Sequence, residues 1–144
     1  MIEVKELKKG FGGDELVLKG ISTTFEKGKT NLIIGQSGSG KTVFLKCLLG
    51  LFRPTEGKIL YDGQAYSELS SEKQRTLREQ MGMVFQGSAL FDSMTVEENI
   101  MFPLKMFTKQ RKAERRERAN EVIKRVNLIN ANNKLPSEIS GGMQ

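Results

Sequence analysis

One short stretch of the sequence has the residue types and the spacing of a phosphate-binding loop. Residues 35–42 read GQSGSGKT, which fits the pattern G-x-x-x-x-G-K-[ST]. Small residues let a backbone wrap around a phosphate without side-chain clashes, and its N–H groups then point inward at the anion. The pattern therefore predicts a site for a nucleoside triphosphate. The predicted phosphate-binding residues are Gly35, Gln36, Ser37, Gly38, Ser39, Gly40, Lys41 and Thr42.

The last two residues of this loop carry the chemistry. Lys41 supplies a mobile positive charge for the β- and γ-phosphates, and the Thr42 hydroxyl is placed to bind Mg²⁺. Val43, which comes next, has no hydroxyl to offer. An ordinary glycine-serine turn is the alternative interpretation. The apolar run NLIIG before the loop predicts a buried strand and residues 41–49 predict a helix, and this context favours a phosphate site.

The elements that position this loop follow from the periodicity of the chain. The order of strands first and helices later suggests an α/β core with a helical appendage. The predicted strands are 2–7, 16–25, 31–35, 58–66 with a turn, and 81–86. The predicted helices are 41–49, about 71–79 and 110–128, and a further helix opens at Val96. A Thr95–Glu98 capping box starts this further helix, and Pro103 should kink or end it.

Composition places the chain among ordinary soluble proteins. It has 144 residues, of which 38% are hydrophobic and 28% charged. A single cysteine allows no internal disulfide, which fits a reducing cytosol. No apolar run is long enough to span a bilayer, and the N-terminus lacks the apolar core of a signal peptide.

The net charge of +6 comes mostly from one segment. Residues 109–118 carry six positive and two negative side chains. A solvated helix face is the first interpretation of such a segment. Anionic lipid or a protein partner is the second, and nucleic acid the third.

Three motifs in order give the chain a family resemblance. GQSGSGKT, FQGSALFDSMTVEENI and ISGGMQ resemble the Walker A, Q-loop and signature motifs of ABC-type ATPases, and the likeness covers essentially all 144 residues. It implies an α/β P-loop NTPase core of ABC type, partial because it lacks the Walker B strand onward, with an antiparallel β-subdomain and a helical subdomain. Residues 1–90 would form the β-subdomain and P-loop core, and residues 91–144 the helical subdomain.

The resemblance also implies roles for single residues. Phe11 would stack on adenine, and Val17 would add an apolar contact to the base. Gln86 matches the Q-loop glutamine, which together with Lys41 would act in catalysis by reaching Mg²⁺ and the attacking water. Taken by itself, Gln86 would be a surface residue at a strand end. The implied cofactors are ATP and Mg²⁺.

The signature motif implies a partner subunit. Ser140, Gly141 and Gly142 match it, with Ile139 in place of the usual leucine and Met143 in place of the usual glutamine. In the family, two subunits dimerise head to tail, and this element caps the γ-phosphate held by the partner. A serine hydroxyl and glycine amides at a helix start suit that role. Transmembrane permease subunits would be further partners, at the cytoplasmic side of a bacterial inner membrane.

Within the family, FQGSALFDSMTV and SGGM are most similar to ATPases of Mce-type lipid transporters. Residues 87–107 would then lie near the membrane subunit. Phe91, Met94, Phe102 and Met106 would form an adaptable apolar contact surface, or would be core of the helical part.

Family members continue past the signature into a Walker B Asp-Glu pair and a switch histidine, and the chain contains no histidine. Phosphoryl transfer depends on positioned charge. We therefore expect these 144 residues by themselves to bind ATP weakly or not at all, and not to hydrolyse it. We also expect assembly into dimers or larger species through an unpaired NLIIG edge.

Two other functions stay open. A nucleic-acid- or translation-associated ABC ATPase would suit the basic charge, but no nucleic acid is expected. The 99 positions between Lys41 and Ser140 leave no room for the long coiled coils of repair and chromosome ATPases. A binding module that keeps the nucleotide site without hydrolysis is the third possibility.

Overall fold

In the computed structural model, which describes residues 1–13, 15–85, 87 and 89–144, the chain divides into two units. The first unit comprises residues 1–82 and the second residues 83–144. The predicted division at residue 90, between the β-subdomain with the P-loop core and the helical subdomain, stays a prediction.

The first unit is built on a four-stranded antiparallel sheet of order β2-β1-β3-β4. The strands predicted at 2–7, 16–25 and 58–66 are confirmed. The observed bounds are β1 Ile2–Gly10, β2 Leu16–Phe25, β3 Glu56–Tyr61 and β4 Gln64–Ala65.

A bulge in β1 sets which residues face the core. Val4 and Leu7 are three positions apart, so strict alternation would place them on opposite faces of the sheet, yet both are buried. The pairing with β2 shifts between them, and Glu6 takes a positive φ of 47°. Ser22 holds the bulge, because its Oγ accepts from the Glu6 N–H at 3.0 Å and donates to the Glu6 carboxylate at 2.7 Å.

Helix α1, Lys41–Leu48, joins the sheet through its apolar face. Phe44, Cys47 and Leu48 are buried in one cluster with the sheet residues. The Tyr61 hydroxyl donates to the Leu48 carbonyl and so ties the end of the helix to β3. Burial, followed by the neighbouring Tyr66, raises the pKa of Tyr61 to about 12. Helix α2, Ser71–Glu79, begins after Ser70, whose Oγ accepts from the Lys73 N–H.

Two predicted strands do not form. Residues 31–35 and 81–85 have no strand assignment, and Gln86 lies outside the described residues. Leu32, Ile34 and Val84 are 81%, 84% and 96% exposed. An apolar run becomes a strand only where another segment hydrogen-bonds alongside it. None of the described strands pairs with either segment, so the apolar pattern alone was insufficient.

The second unit contains α3, Val96–Phe107, and α4, Lys112–Arg125. The predicted capping box is confirmed, with Glu98 N–H to Thr95 Oγ at 3.3 Å and Thr95 N–H to Glu98 Oε2 at 2.9 Å. Pro103 does not end α3, which continues to Phe107. None of the helices in the described part of the chain has the length and apolarity to cross a bilayer. The buried core of this unit is Val96, Ile123, Ala131 and Ile139.

Candidate functional site

The glycine-rich segment forms an irregular loop that leads directly into α1. Gly38 and Gly40 have φ values of 81° and 88°, the left-handed region that glycine enters without a steric penalty. The Ser39 N–H donates to the Gln36 carbonyl at 3.2 Å and tightens the turn. The sequence prediction of a loop followed by a helix at Lys41 is confirmed here.

Lys41 closes this loop on itself. Its Nζ donates to the carbonyls of Gly35 and Gln36, each at 2.7 Å. An ammonium group has three donors, so one N–H remains for an incoming anion. The side chain therefore already lies across the loop, where a phosphate oxygen can replace one of these carbonyls as its hydrogen-bond acceptor.

Gly40 rests against β2, which brings Val17 to the loop. A Cβ on Gly40 would lie 2.9 Å from Leu18 Cδ2 and 3.1 Å from Val17 Cγ1. No larger residue fits there without a shift. Val17 remains 39% exposed, so part of its surface is available to a ligand beside the loop.

The N-terminus of α1 offers donors to an anion. Its N-cap residue, Gly40, makes no side-chain cap, and the first helical bond is Phe44 N–H to Gly40 carbonyl at 2.8 Å. The N–H groups before Phe44 lack partners within the helix. Such donors and the helix dipole favour phosphate. The loop thus fits a triphosphate.

Thr42 is exposed in the first turn of α1, next to these donors. The described residues contain no group of three or more His, Cys, Asp or Glu side chains that could hold a metal by themselves. The Ser or Thr hydroxyl at this position of a phosphate-binding loop is a Mg²⁺ ligand, and substrate phosphates supply further oxygens, so Thr42 fits that arrangement. Gln86, the other predicted metal ligand, lies outside the described residues.

Phe11 lies on the bend after β1 and is 57% exposed. Its ring packs edge-on against Phe52, with 5.1 Å between centroids, and Lys9 Nζ lies 4.8 Å from its centroid. These contacts hold the ring in place while leaving it accessible. Stacking on adenine stays a prediction. The sequence pointed to Phe11 but not to its neighbours Lys9 and Phe52, since only folding brings residue 52 to the first strand.

The signature residues lie on the surface of the second unit. Ser140, Gly141 and Gly142 are exposed, and a Cβ on either glycine would meet nothing within 4 Å. The Ser140 carbonyl accepts from the N–H groups of Met143 at 2.8 Å and Gln144 at 3.2 Å, the bonding of a first helical turn. This geometry agrees with the helix start that the sequence suggested.

Two apolar residues anchor the signature segment to the core of the second unit. Ile139 is 9% exposed and belongs to the core of the unit, and Met143 packs against the same cluster. The Gln144 side chain donates to the Pro136 carbonyl at 2.8 Å. Sequence reasoning treated Ile139 and Met143 as departures from a motif. Their four-residue spacing, typical of one helix face, was the signal that they are anchors.

Comparisons with known proteins agree with this geometry. Residues 18–144 match the family model described as ABC transporter. The chain is 41% identical over 99% of its length to the probable ribonucleotide transport ATP-binding protein mkl of Mycobacterium leprae, of which it covers 41%. It is 42% identical over 100% of its length to the arginine transport ATP-binding protein ArtM of Bacillus subtilis, of which it covers 59%. The chain therefore spans only part of these relatives.

Solved structures of ABC transporter cassettes also match this chain. The dimeric structure of a post-hydrolysis state of the ATP-binding cassette MJ0796, bound to ADP and Pi, matches with a TM-score of 0.85 and 31% identity, over 99% of this chain and 65% of that one. The structure of cbiO1 from Clostridium perfringens matches with a TM-score of 0.83 and 28% identity, over 98% of this chain and 56% of that one. The predicted fold class is confirmed.

Proposed function

Because this chain belongs to the ABC transporter family, we propose that it is part of an ATP-binding subunit that couples ATP binding and hydrolysis to transport across a membrane. The observation that carries the proposal is the loop at residues 35–42. Its ends are bridged by Lys41, and it opens a helix whose first donors have no helical partner.

The proposed roles follow from where charge develops in phosphoryl transfer. Lys41 and the loop N–H groups hold and neutralise the β- and γ-phosphates, which places Lys41 in catalysis as well as in binding. Thr42 and Gln86 would hold Mg²⁺, which would supply positive charge to the phosphate oxygens, and Gln86 would also orient the attacking water. Phe11 and Val17 contact the adenine.

A second ATPase subunit is the first proposed partner. Ser140, Gly141 and Gly142 are exposed and unobstructed, as residues that close over a nucleotide on another subunit must be. The structure of the MJ0796 cassette is dimeric, which supports this pairing.

A transmembrane permease is the second proposed partner, which would place the subunit at the cytoplasmic side of a bacterial inner membrane. Phe91 and Met106 are 47% and 58% exposed, and the rings of Phe91 and Phe102 lie 4.7 Å apart. An exposed cluster of aromatic and methionine side chains suits an adaptable protein contact.

The cargo follows less directly. The relatives mkl and ArtM are named for transport of ribonucleotide and of arginine, and two further relatives are named for import of methionine and of L-cystine. They favour import of a small polar molecule. A phospholipid cargo is supported by the sequence likeness around residues 85–96 and by the SGGM signature, and these names do not add to it. The nucleic-acid alternative is not favoured, since these relatives are all named for transport.

Replacing Lys41 tests the nucleotide site. In the full-length protein, Lys41→Ala should weaken binding of a fluorescent ATP analogue and lower magnesium-dependent phosphate release by about 100-fold, the typical effect of losing one positioned charge donor. Lys46→Ala is the matched control, because it removes the same charge from the same helix, near Phe52. Unchanged binding and turnover in Lys41→Ala, or an equal loss in Lys46→Ala, would contradict the proposal.

A further inference from the structure

Phe52 holds the exposed ring of Phe11. The two rings pack edge-on, with 5.1 Å between their centroids and 77° between their planes. Phe52 itself is partly buried and packs against the core of the first unit, whereas Phe11 is 57% exposed. Edge-to-face contact is an arrangement that aromatic rings prefer, and it restricts how each ring can turn. The orientation of the accessible ring therefore depends on a residue that is distant in the sequence and anchored in the core.

Hydrogen bonds fix the main chain beside Phe11 to the same segment. The Thr55 N–H donates to the Lys8 carbonyl at 2.9 Å. The Thr55 Oγ1 accepts from the Gly10 N–H at 3.1 Å, and Gly10 immediately precedes Phe11. Residues 52–55 thus brace Phe11 in two ways, through its ring and through the backbone that carries it.

This bracing segment is also bound to the end of helix α1. The N–H groups of Leu51 and Phe52 both donate to the Lys46 carbonyl in the last turn of the helix, at 2.9 and 3.1 Å. The helix begins at Lys41, directly after the phosphate-binding loop. One short helix therefore carries the phosphate loop at its start and Phe52 at its end. It sets the separation between the phosphate site and the ring of Phe11.

We propose that Phe52 is a positioning residue for the base of the nucleotide. It acts through Phe11, whose ring it holds at a set distance and orientation from the phosphate loop, so the base stacks on a ring that is already ordered. Ordering a mobile side chain costs free energy on binding, and a ring that is held beforehand avoids that cost. This inference rests on the proposed function, in which Phe11 contacts adenine.

A residue that only stabilises the fold would give a different result. Its loss would loosen the whole unit and weaken every ligand, including inorganic tripolyphosphate, which has phosphates but no base. Loss of a base-positioning residue weakens ATP and leaves tripolyphosphate unchanged. Phe25 supplies the matched control, because it is also a partly buried phenylalanine packed against the same core. Its ring contact is with Phe44, at 6.1 Å between centroids, and not with Phe11.

Isothermal titration calorimetry of the full-length protein with ATP and with tripolyphosphate tests the proposal. Phe52→Leu should raise the Kd for ATP about three- to tenfold, the cost of ordering one side chain, and leave the Kd for tripolyphosphate unchanged. Phe25→Leu should leave both values unchanged. In the Phe11→Leu background, Phe52→Leu should have no further effect, because its action passes through the Phe11 ring. Phe52→Met conserves volume and apolarity, so it keeps the core filled, and it should give the same pattern as Phe52→Leu.

The opposite results overturn the proposal. Equal losses of ATP and tripolyphosphate affinity in Phe52→Leu would show that Phe52 acts through general stability. Additive losses in the double variant would show that it does not act through Phe11. Wild-type ATP affinity in Phe52→Leu or Phe52→Met would remove the role of Phe52 and, where Lys41→Ala still loses affinity, would leave the proposed function intact. A wild-type protein that binds neither ATP nor tripolyphosphate would overturn both.

Discussion

Two glycine-rich segments of this chain offer similar chemistry but are positioned in different ways. In the loop at residues 35–42, Lys41 bridges two carbonyls and Gly40 lies against Val17 and Leu18 of the sheet. In the segment at residues 140–144, the glycines face open space, and the neighbours Ile139 and Met143 pack into a core. The first segment is held through its own glycines and lysine, and the second through the residues on either side.

The difference suits the two proposed roles. A loop that holds phosphate needs a rigid backbone around the anion, since pre-positioned donors need no reorganisation at the moment of reaction. A segment that closes over a nucleotide on another subunit needs an unobstructed surface. Three experiments follow. Two compare an anchored position with an exposed one, and the third compares one hydroxyl at different pH values.

The largest expected effect is at the anchor of the signature segment. Ile139→Ala should lower the free energy of unfolding of the second unit by about 2–4 kcal/mol, because it leaves a cavity beside Val96 and Ile123. Ile129→Ala is the control: that side chain is 76% exposed, and its loss should cost less than about 0.5 kcal/mol. Urea denaturation followed by circular dichroism measures both. Similar values for the two variants would show that Ile139 is no anchor.

The paired glycine substitutions compare the two segments directly. Gly40→Ala should destabilise by about 1–3 kcal/mol, because φ is 88° and the new Cβ would lie 2.9 Å from Leu18 Cδ2. Gly141→Ala should be neutral or stabilising by up to about 1 kcal/mol, since its Cβ would meet nothing within 4 Å. Thermal unfolding of the two variants gives the comparison. A larger loss in Gly141→Ala than in Gly40→Ala would reverse our account of the two segments.

The smallest expected effect concerns the hydroxyl that ties α1 to the sheet. Tyr61→Phe leaves the Leu48 carbonyl without this donor and should lower the free energy of unfolding by about 1–2 kcal/mol at pH 7. Burial, with Tyr66 beside it, raises the pKa of Tyr61 to about 12, above the ordinary value of about 10. The unfolded chain therefore loses this proton first as pH rises.

The Tyr61 contribution is accordingly complete below about pH 10 and declines between about pH 10 and 12. The difference between wild type and Tyr61→Phe should shrink across that window in urea titrations. A difference that stays constant from pH 8 to 11.5 would mean that Tyr61 does not hold its proton more tightly in the folded state.

Elements whose signals are local were predicted well. The Thr95–Glu98 box consists of two side chains within one turn of the backbone that they bind, and α1 begins at Lys41 directly after the glycine-rich loop. The apolar runs at 31–35 and 81–86 were predicted as strands, and residues 31–35 and 81–85 form none, because a strand also needs a neighbour that its own residues do not specify. Pro103 does not end α3, because the stabilisation from the other residues of the helix exceeds the cost of one lost hydrogen bond.

The candidate site divides in the same way. The residues of the phosphate loop are contiguous, so pattern and spacing alone identified Lys41 and Thr42. Val17 came from resemblance, and the structure then placed it against Gly40. The roles of Ile139 and Met143 as anchors depend on how the segments of the second unit pack together. Their four-residue spacing indicates a shared helix face but not what that face packs against.

The sequence by itself determined where phosphate chemistry resides in this protein, because a loop of small residues and one lysine acts through atoms close together along the chain. The tertiary structure decided how those atoms are held: Gly40 against β2, Tyr61 on the end of α1, and the signature segment on its apolar anchors. The physical reason is the distance along the chain over which each interaction acts. Backbone geometry and capping act within a few residues, whereas burial depends on surfaces that meet only after the chain has folded.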